Sequence, residues 1–301
     1  MNKKLLINLM LLLMMGFSAC SSSTDNKEES NDGQATETVD MEGNDYLVTI
    51  STNYGDMNAV LHDLTPKHKE NFVKLAKEGF FNDLLFHRVK PNFMIQGGDP
   101  QSKGAPADMS LGRGGPGYEI EAEIKPELFH RKGALAAART PNREKRSNGS
   151  QFYIVHGSVF PREQVAYNQV ALSRALGILR RDFAEDPIND TLETAFRKEG
   201  QAGYFNKAVE LTEEITQKTG VTFVMPEEQA EVYSTIGGYP FLDGEYTVFG
   251  QVISGLDVLD KIATVQTKPD DRPVADVIMQ VTVKELPRAE IAKKYSYTDF
   301  Q

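Results

Sequence analysis

Few side chains in this 301-residue sequence are placed to do covalent chemistry. The one cysteine, Cys20, excludes a disulfide framework and a thiolate metal cluster. Five histidines, His62, His68, His87, His130 and His156, show no paired metal-ligand spacing, so no metal is expected. His87 sits between Phe86 and Arg88 in a strand-like run and reads as a structural histidine, not a base. Gly97-Gly98 lacks the wider glycine spacing of a phosphate loop. What remains is Arg88, a planar and permanently charged donor. Phe93, Met94 and Gln96 follow it closely. A fixed cation beside an apolar wall suits non-covalent catalysis. It stabilises charge that develops on a bound group, with no nucleophile and no acid–base pair.

Such an arginine works only if the backbone around it is held rigidly. Residues 46–51 and 57–62 alternate as strands, joined by a turn at Asn53-Tyr54-Gly55-Asp56. Thr65-Pro66 opens a helix, with Thr65 as the capping side chain and Pro66 at the first helical position. Phe72, Val73, Leu75 and Ala76 form its apolar stripe, and Gly79 ends it. Residues 86–95 read as two short strands around Pro91-Asn92, and 101–117 as a glycine- and proline-rich loop. From 162 to 220 the apolar spacing turns helical, through Leu172, Leu176, Leu179, Leu192, Phe205, Ala208 and Ile215. Breaks fall near Asp186-Pro187 and at 200–203. A short helix at 226–236, a strand at 246–253, a helix at 256–263 and a strand at 277–286 follow. A charged tail of helical character, 287–301, completes the chain. A hydrophobic fraction of 40% is enough for a core. With 33 Lys and Arg against 43 Asp and Glu, the net charge of -10 offers no basic face for nucleic acid.

The N-terminus reads as an export signal over residues 1–19. Lys3 and Lys4 precede an apolar run at 5–16, and Phe17-Ser18-Ala19 places small residues before Cys20. The run is short for a bilayer span and has no stop-transfer flank. Residues 20–45 carry eight acids against Lys27 alone, with few apolar side chains, and read as a flexible acidic tether.

Three longer motifs carry the functional expectation. They are Phe86-His87-Arg88-Val89-Lys90-Pro91-Asn92-Phe93-Met94-Ile95-Gln96-Gly97-Gly98-Asp99, Ser147-Asn148-Gly149-Ser150-Gln151-Phe152-Tyr153-Ile154, and Leu242-Asp243-Gly244-Glu245-Tyr246-Thr247-Val248-Phe249-Gly250. In this order, with Asn71-Phe72 and the Gly115-Pro116-Gly117-Tyr118 turn, the chain resembles the cyclophilin family of peptidyl-prolyl cis-trans isomerases over 46–156 and 237–286. Cys20 resembles the lipidated cysteine of a bacterial lipoprotein signal, although Phe17 departs from the usual Leu. The resemblance implies a mainly β fold: a closed, eight-stranded antiparallel barrel capped by helices, in two parts at 46–157 and 237–286. It implies isomerisation of X-Pro bonds, with proline-containing polypeptides as partners and no cofactor. The expected setting is a bacterial cell envelope, lipid-anchored at Cys20, the protein being monomeric.

Residue by residue, Arg88 matches the family's catalytic arginine. Phe93, Met94 and Gln96 match its pocket and neighbouring polar position, and Leu242 a further pocket residue. Ala138 matches a residue of the adjoining subsite. Arg139 stands where the eukaryotic pattern has Asn, also a substrate contact. Tyr153 replaces the usual Phe of the pocket floor, so its hydroxyl needs a partner if buried. Phe241 stands in place of Trp and Tyr246 in place of His, departures that weaken the match for cyclosporin-type macrocycles. Residues 158–236 are an α-helical insertion where the family has a short loop. They read either as a small hairpin packed on the barrel or as an arm that gates or extends the substrate groove. Within them, Asp190-Thr191-Leu192 resembles a bacterial O-glycan acceptor. A proline-peptide binding module, or a surface protein that adheres through its insertion, would not need Arg88, Phe93, Met94 and Gln96 intact.

Overall fold

The alternation at 46–62 becomes the first hairpin. In the computed structural model, which describes residues 41–300, β1 (Asn44–Thr52) pairs antiparallel with β2 (Gly55–Leu61), Ile50 opposite Met57. The expected signal segment, Cys20 and the tether as far as residue 40 lie outside the described residues. β1 starts before Tyr46, because Asp45 is not a solvated tether acid. It is buried, and Lys69 Nζ donates to its Oδ1 at 2.7 Å. α1 (Pro66–Lys77) buries Phe72, Val73, Leu75 and Ala76 as its spacing predicts. Its cap differs: the Thr65 hydroxyl donates to the His62 carbonyl at 3.3 Å, and its oxygen accepts from no amide of the helix.

The remaining strands are β3 (Leu84–Leu85), β4 (Arg88–Lys90), β5 (Met94–Gly97), β6 (Glu119–Ile120), β7 (Ala134–Ala137), β8 (Ser147–Asn148), β9 (Phe152–Val155), β10 (Val248–Ser254) and β11 (Ile278–Pro287). The expected closed barrel of eight strands is not what forms. Nine antiparallel strands curl into a half-barrel in the order β3-β11-β1-β2-β10-β7-β9-β5-β4, and the ladder does not close. Its two edge strands are successive pieces of one chain run, broken at Phe86 and His87. β3 bonds to β11 and β4 bonds to β5, so no single strand links the two edges by hydrogen bonds. Both edges are very short, which limits their capacity to pair with another chain. β6 and β8 form a separate two-stranded sheet.

Inside the curl, Ile50, Leu61, Ile95, Leu135, Ile154 and Phe249 meet Phe72 of α1 and Leu259 and Ile262 of α6 (Leu256–Ala263) in one core. The Phe72 ring lies 4.8 Å from Phe81 and 5.4 Å from Phe152, the latter edge-on. α7 (Arg288–Tyr295) closes the C-terminal end, burying Ile291 beside Leu47 and Leu286.

The segment 158–236 is larger than a hairpin. It holds α2 (Gln169–Asp182), α3 (Pro187–Glu210, kinked at Gly200), α4 (Thr212–Thr219) and α5 (Glu227–Thr235). Leu172, Leu176, Leu179, Ile188, Leu192, Ala208, Ile215 and Phe223 build a core of their own. A smaller cluster, Val165, Met225, Ala230 and Tyr233 with Phe160, packs against Phe129 in the segment before β7. Among the described residues no helix is long and apolar enough to cross a membrane.

Burial holds two imidazoles neutral: the pKa values of His62 and His87 are pushed down from 6.5 to about 4. Between those values the unfolded chain binds more protons than the folded one, so stability held above pH 6.5 is lost as pH falls toward 4. Each histidine accounts for a loss of about 3 kcal/mol. Urea denaturation at pH 7 and pH 4.5 should show that fall, and equal stability at the two values would contradict it.

Candidate active site

Strand register lines up the predicted polar residues. Arg88 of β4 lies opposite Gln96 of β5, Gln96 opposite Tyr153 of β9, Tyr153 opposite Ala136 of β7, and Ala136 opposite Val248 of β10. Directly paired residues share a face of the sheet, so this row emerges on one side. Their chain neighbours Val89, Ile95, Ile154 and Leu135 point the other way, into the core.

The electrostatic part of the site is a short relay. Arg88 Nη1 donates to Gln96 Oε1 at 3.4 Å, and Arg88 Nε to Asp271 Oδ2 at 3.4 Å. The guanidinium carbon stands 5.8 Å from the Phe93 ring centroid. Gln96 Nε2 donates to Gln151 Oε1 at 3.0 Å, and Gln151 Nε2 to the Gly114 carbonyl at 2.7 Å. That sequence of donors orients both amides and leaves the Gln96 oxygen toward Arg88. Both contacts of Arg88 are long, its side chain is 39% exposed, and a guanidinium has five N–H groups, so donors remain for a ligand.

The apolar part is one cluster on the same face. Met94, Tyr153, Ala136 and Val248 are buried in it, and Phe93, Ala138, Leu242, Tyr246 and Tyr239 pack against them. The Phe93 ring lies 4.5 Å from Tyr239, and Tyr246 stands edge-on to Tyr153 at 5.9 Å. Arg139 stacks 4.6 Å over Tyr246 and donates from Nε to the Glu245 carbonyl at 3.0 Å, so its guanidinium shapes the rim. Phe241 lies outside this cluster, against Tyr239 at 5.3 Å and Phe160 at 5.8 Å. A cavity of about 590 Å³ between Tyr46, Lys69 and Lys77 holds none of these residues.

The hydroxyl of Tyr153 has its partner, His130 Nε2 at 2.9 Å, and the two rings stack at 6.0 Å. Burial, then the neighbouring Tyr246 and Asp243, raises the Tyr153 pKa well above the ordinary phenol value, so it remains an O–H donor. His130, Asp271, Gln151 and Tyr239 are site residues that sequence reasoning did not single out. His130 had an indirect signal, the unmet need of the Tyr153 hydroxyl, and Gln151 stands inside the second motif.

A neck of backbone bonds anchors the wall. His156 and Gly157 both donate N–H to the Phe93 carbonyl, at 3.0 and 3.1 Å. Gly157 has φ +62°, and a Cβ there would lie 2.3 Å from the Gly238 carbonyl oxygen.

A model of the family "cyclophilin type peptidyl-prolyl cis-trans isomerase" matches residues 47–170 and 196–283. A protein of Staphylococcus saprophyticus, described as a peptidyl-prolyl cis-trans isomerase, is 31% identical over 240 residues, covering 79% of this chain and 91% of its own. A protein of Streptococcus pyogenes described as a bifunctional phosphatase/peptidyl-prolyl cis-trans isomerase is 35% identical over 237 residues, 77% of this chain but 37% of that protein. A crystal structure of a Cryptosporidium parvum cyclophilin is 22% identical, with a TM-score of 0.47 over 81% of this chain and 100% of that chain. The chain belongs to the cyclophilin-type peptidyl-prolyl cis-trans isomerase family and is an enzyme of the isomerase class.

Gly157→Ala should cost about 3 kcal/mol, from positive-φ strain plus the clash at Gly238. Urea denaturation measures it, and a variant as stable as the parent would contradict the neck's tight fit.

Proposed function

We propose that the protein accelerates cis–trans exchange of X-Pro bonds in exported polypeptides by binding the twisted amide better than either planar form. Rotation about that bond meets a barrier of about 18–20 kcal/mol, because amide resonance is lost at the top. No bond to the enzyme is required, only preferential binding of the twisted state. The observation that carries the reading is Arg88 held between Gln96 and Asp271, beside an apolar wall on the same sheet face.

In this reading the proline ring rests on Phe93, Met94, Leu242 and Tyr246 over the Tyr153 floor. As the bond twists, the nitrogen pyramidalises and the carbonyl loses conjugation. Arg88 then donates to the developing lone pair or the displaced oxygen, and Gln96 steers Arg88 and the peptide backbone. Ala138 lines the adjoining subsite, Arg139 forms its edge, and Phe241 backs the wall through Tyr239. The substrates are proline-containing polypeptides. The chemistry calls for no metal or cofactor, and the acidic chain has no role in nucleic-acid binding.

The protein acts as a monomer in the bacterial cell envelope, anchored in the outer membrane by acyl chains on Cys20. The apolar run at 5–16 and the small residues before Cys20 support that anchor. Each buried methylene adds roughly 0.8 kcal/mol, so several chains hold stably.

Arg88→Ala should lower kcat/KM on a proline tetrapeptide by about 100-fold or more, mostly in kcat, with the fold intact. A protease-coupled assay checks this, and unchanged turnover would refute Arg88 as the electrostatic catalyst. Cys20→Ala should release the protein from sedimented membranes. A variant that still sediments with them would refute the anchor.

A further inference from the structure

The pocket floor is tied to the helical insertion by a buried run of side-chain hydrogen bonds. Tyr153 Oη meets His130 Nε2 at 2.9 Å, and His130 Nδ1 meets Asp243 Oδ1 at 2.8 Å. The same carboxylate oxygen accepts the His130 backbone N–H at 2.9 Å. On its other side, Tyr233 of α5 donates its hydroxyl to Asp243 Oδ2 at 2.6 Å. Tyr233 is 0% exposed, His130 1% and Tyr153 4%.

The proton positions follow from this geometry. Burial, with Asp243 close by, raises the Tyr233 phenol well above its ordinary value, as burial does for Tyr153, so both remain donors. A carboxylate only accepts, so His130 presents Nδ1–H to Asp243. Its Nε2 is then the acceptor for Tyr153. The two phenols thus reach one carboxylate by different routes, Tyr233 directly and Tyr153 through the His130 ring.

Asp243 follows Leu242 directly in the chain, so what holds the carboxylate holds the wall. The His130 ring also meets Tyr246 edge-on at 6.5 Å. The backbone runs in parallel: Phe160 N–H donates to the Tyr233 carbonyl at 3.0 Å, and Tyr239 N–H to the His130 carbonyl at 2.8 Å.

We infer that Tyr233 of the insertion is a positioning residue for the proline pocket, fixing the Tyr153 floor and the Leu242 wall through Asp243 and His130. The inference rests on the pocket reading given above and assigns the insertion a mechanical part in it. Loss of the Tyr233 hydroxyl takes the donor from Oδ2 of a carboxylate that is only 12% exposed. The Asp243 side chain then turns to find one, and the rings that ride on His130 loosen. Floor and wall touch the proline ring in planar and twisted states alike, so the loss falls on KM, whereas loss of Arg88 falls on kcat.

The test uses the full chain and a proline tetrapeptide. Tyr233→Phe keeps the ring and removes only the hydroxyl. It should raise KM about three- to tenfold with kcat nearly unchanged, as should Tyr153→Phe, and the double variant should be little worse than either alone. Asp243→Asn, which keeps the side-chain shape, should show the same KM loss. Tyr204→Phe removes an insertion hydroxyl bonded to Arg180 outside this run, and should change neither constant. In ¹⁵N spectra the His130 Nδ1–H signal should shift in Tyr233→Phe. A Tyr233→Phe variant with parental KM and an unmoved His130 signal would overturn the inference, as would losses that multiply in the double variant. If Arg88→Ala keeps parental turnover, the pocket reading has failed instead, and the His130 signal alone decides whether the insertion couples to the floor.

Discussion

The central strands of this sheet must bury both of their faces, and the site depends on that constraint. β5, β7 and β9 send Ile95, Leu135 and Ile154 into the core, and Met94, Ala136 and Tyr153 into the outer cluster. A slip of one residue in any of these pairings would exchange the two sets and place Tyr153 inside the curl. Register is therefore enforced by the whole core. The alignment of Arg88, Gln96 and Tyr153 inherits that enforcement. A loop could not deliver three side chains from three strands with the same definition.

Within that frame the charge is held loosely on purpose of function. A half-exposed pair such as Arg88–Asp271 at 3.4 Å contributes only about 0–1 kcal/mol to stability. A short, buried, bidentate partner would orient the guanidinium better but would occupy the donors that the proposed catalysis draws on. Gln96 avoids that conflict, since it is neutral and its own direction is set from behind by Gln151 and Gly114. Arg139 shows the contrasting arrangement: it bonds the Glu245 carbonyl and carboxylate and stacks over Tyr246.

Local signals in the chain located most elements. α6 spans the expected residues because its apolar stripe is strong and Gly255 precedes it in a left-handed conformation. The four motif residues Arg88, Phe93, Met94 and Gln96 sit together because β4 and β5 are a hairpin, a short-range feature. What was not legible depends on distance in the chain. Asp271 reaches Arg88 across 183 residues, and His130 reaches Asp243 across 113, with no periodicity to announce either contact. Asp45 looked like one more tether acid because its partner Lys69 lies on another element. The expected closure failed at Phe86-His87, where the chain leaves one ladder and joins another within two residues. The insertion was legible as helical but not as a body with its own core, since apolar stripes do not say what they face.

The central claim is that one sheet face both holds the proline ring and lowers the barrier to its rotation. Exchange NMR of an Xaa-Pro peptide, run beside methyl spectra of the protein, tests both halves in one sample. The account predicts cis–trans cross-peaks at substoichiometric protein, together with peptide-induced shifts of the Met94 and Leu242 methyl signals. Exchange no faster than in buffer, or shifts confined to methyl groups away from this face, would contradict it.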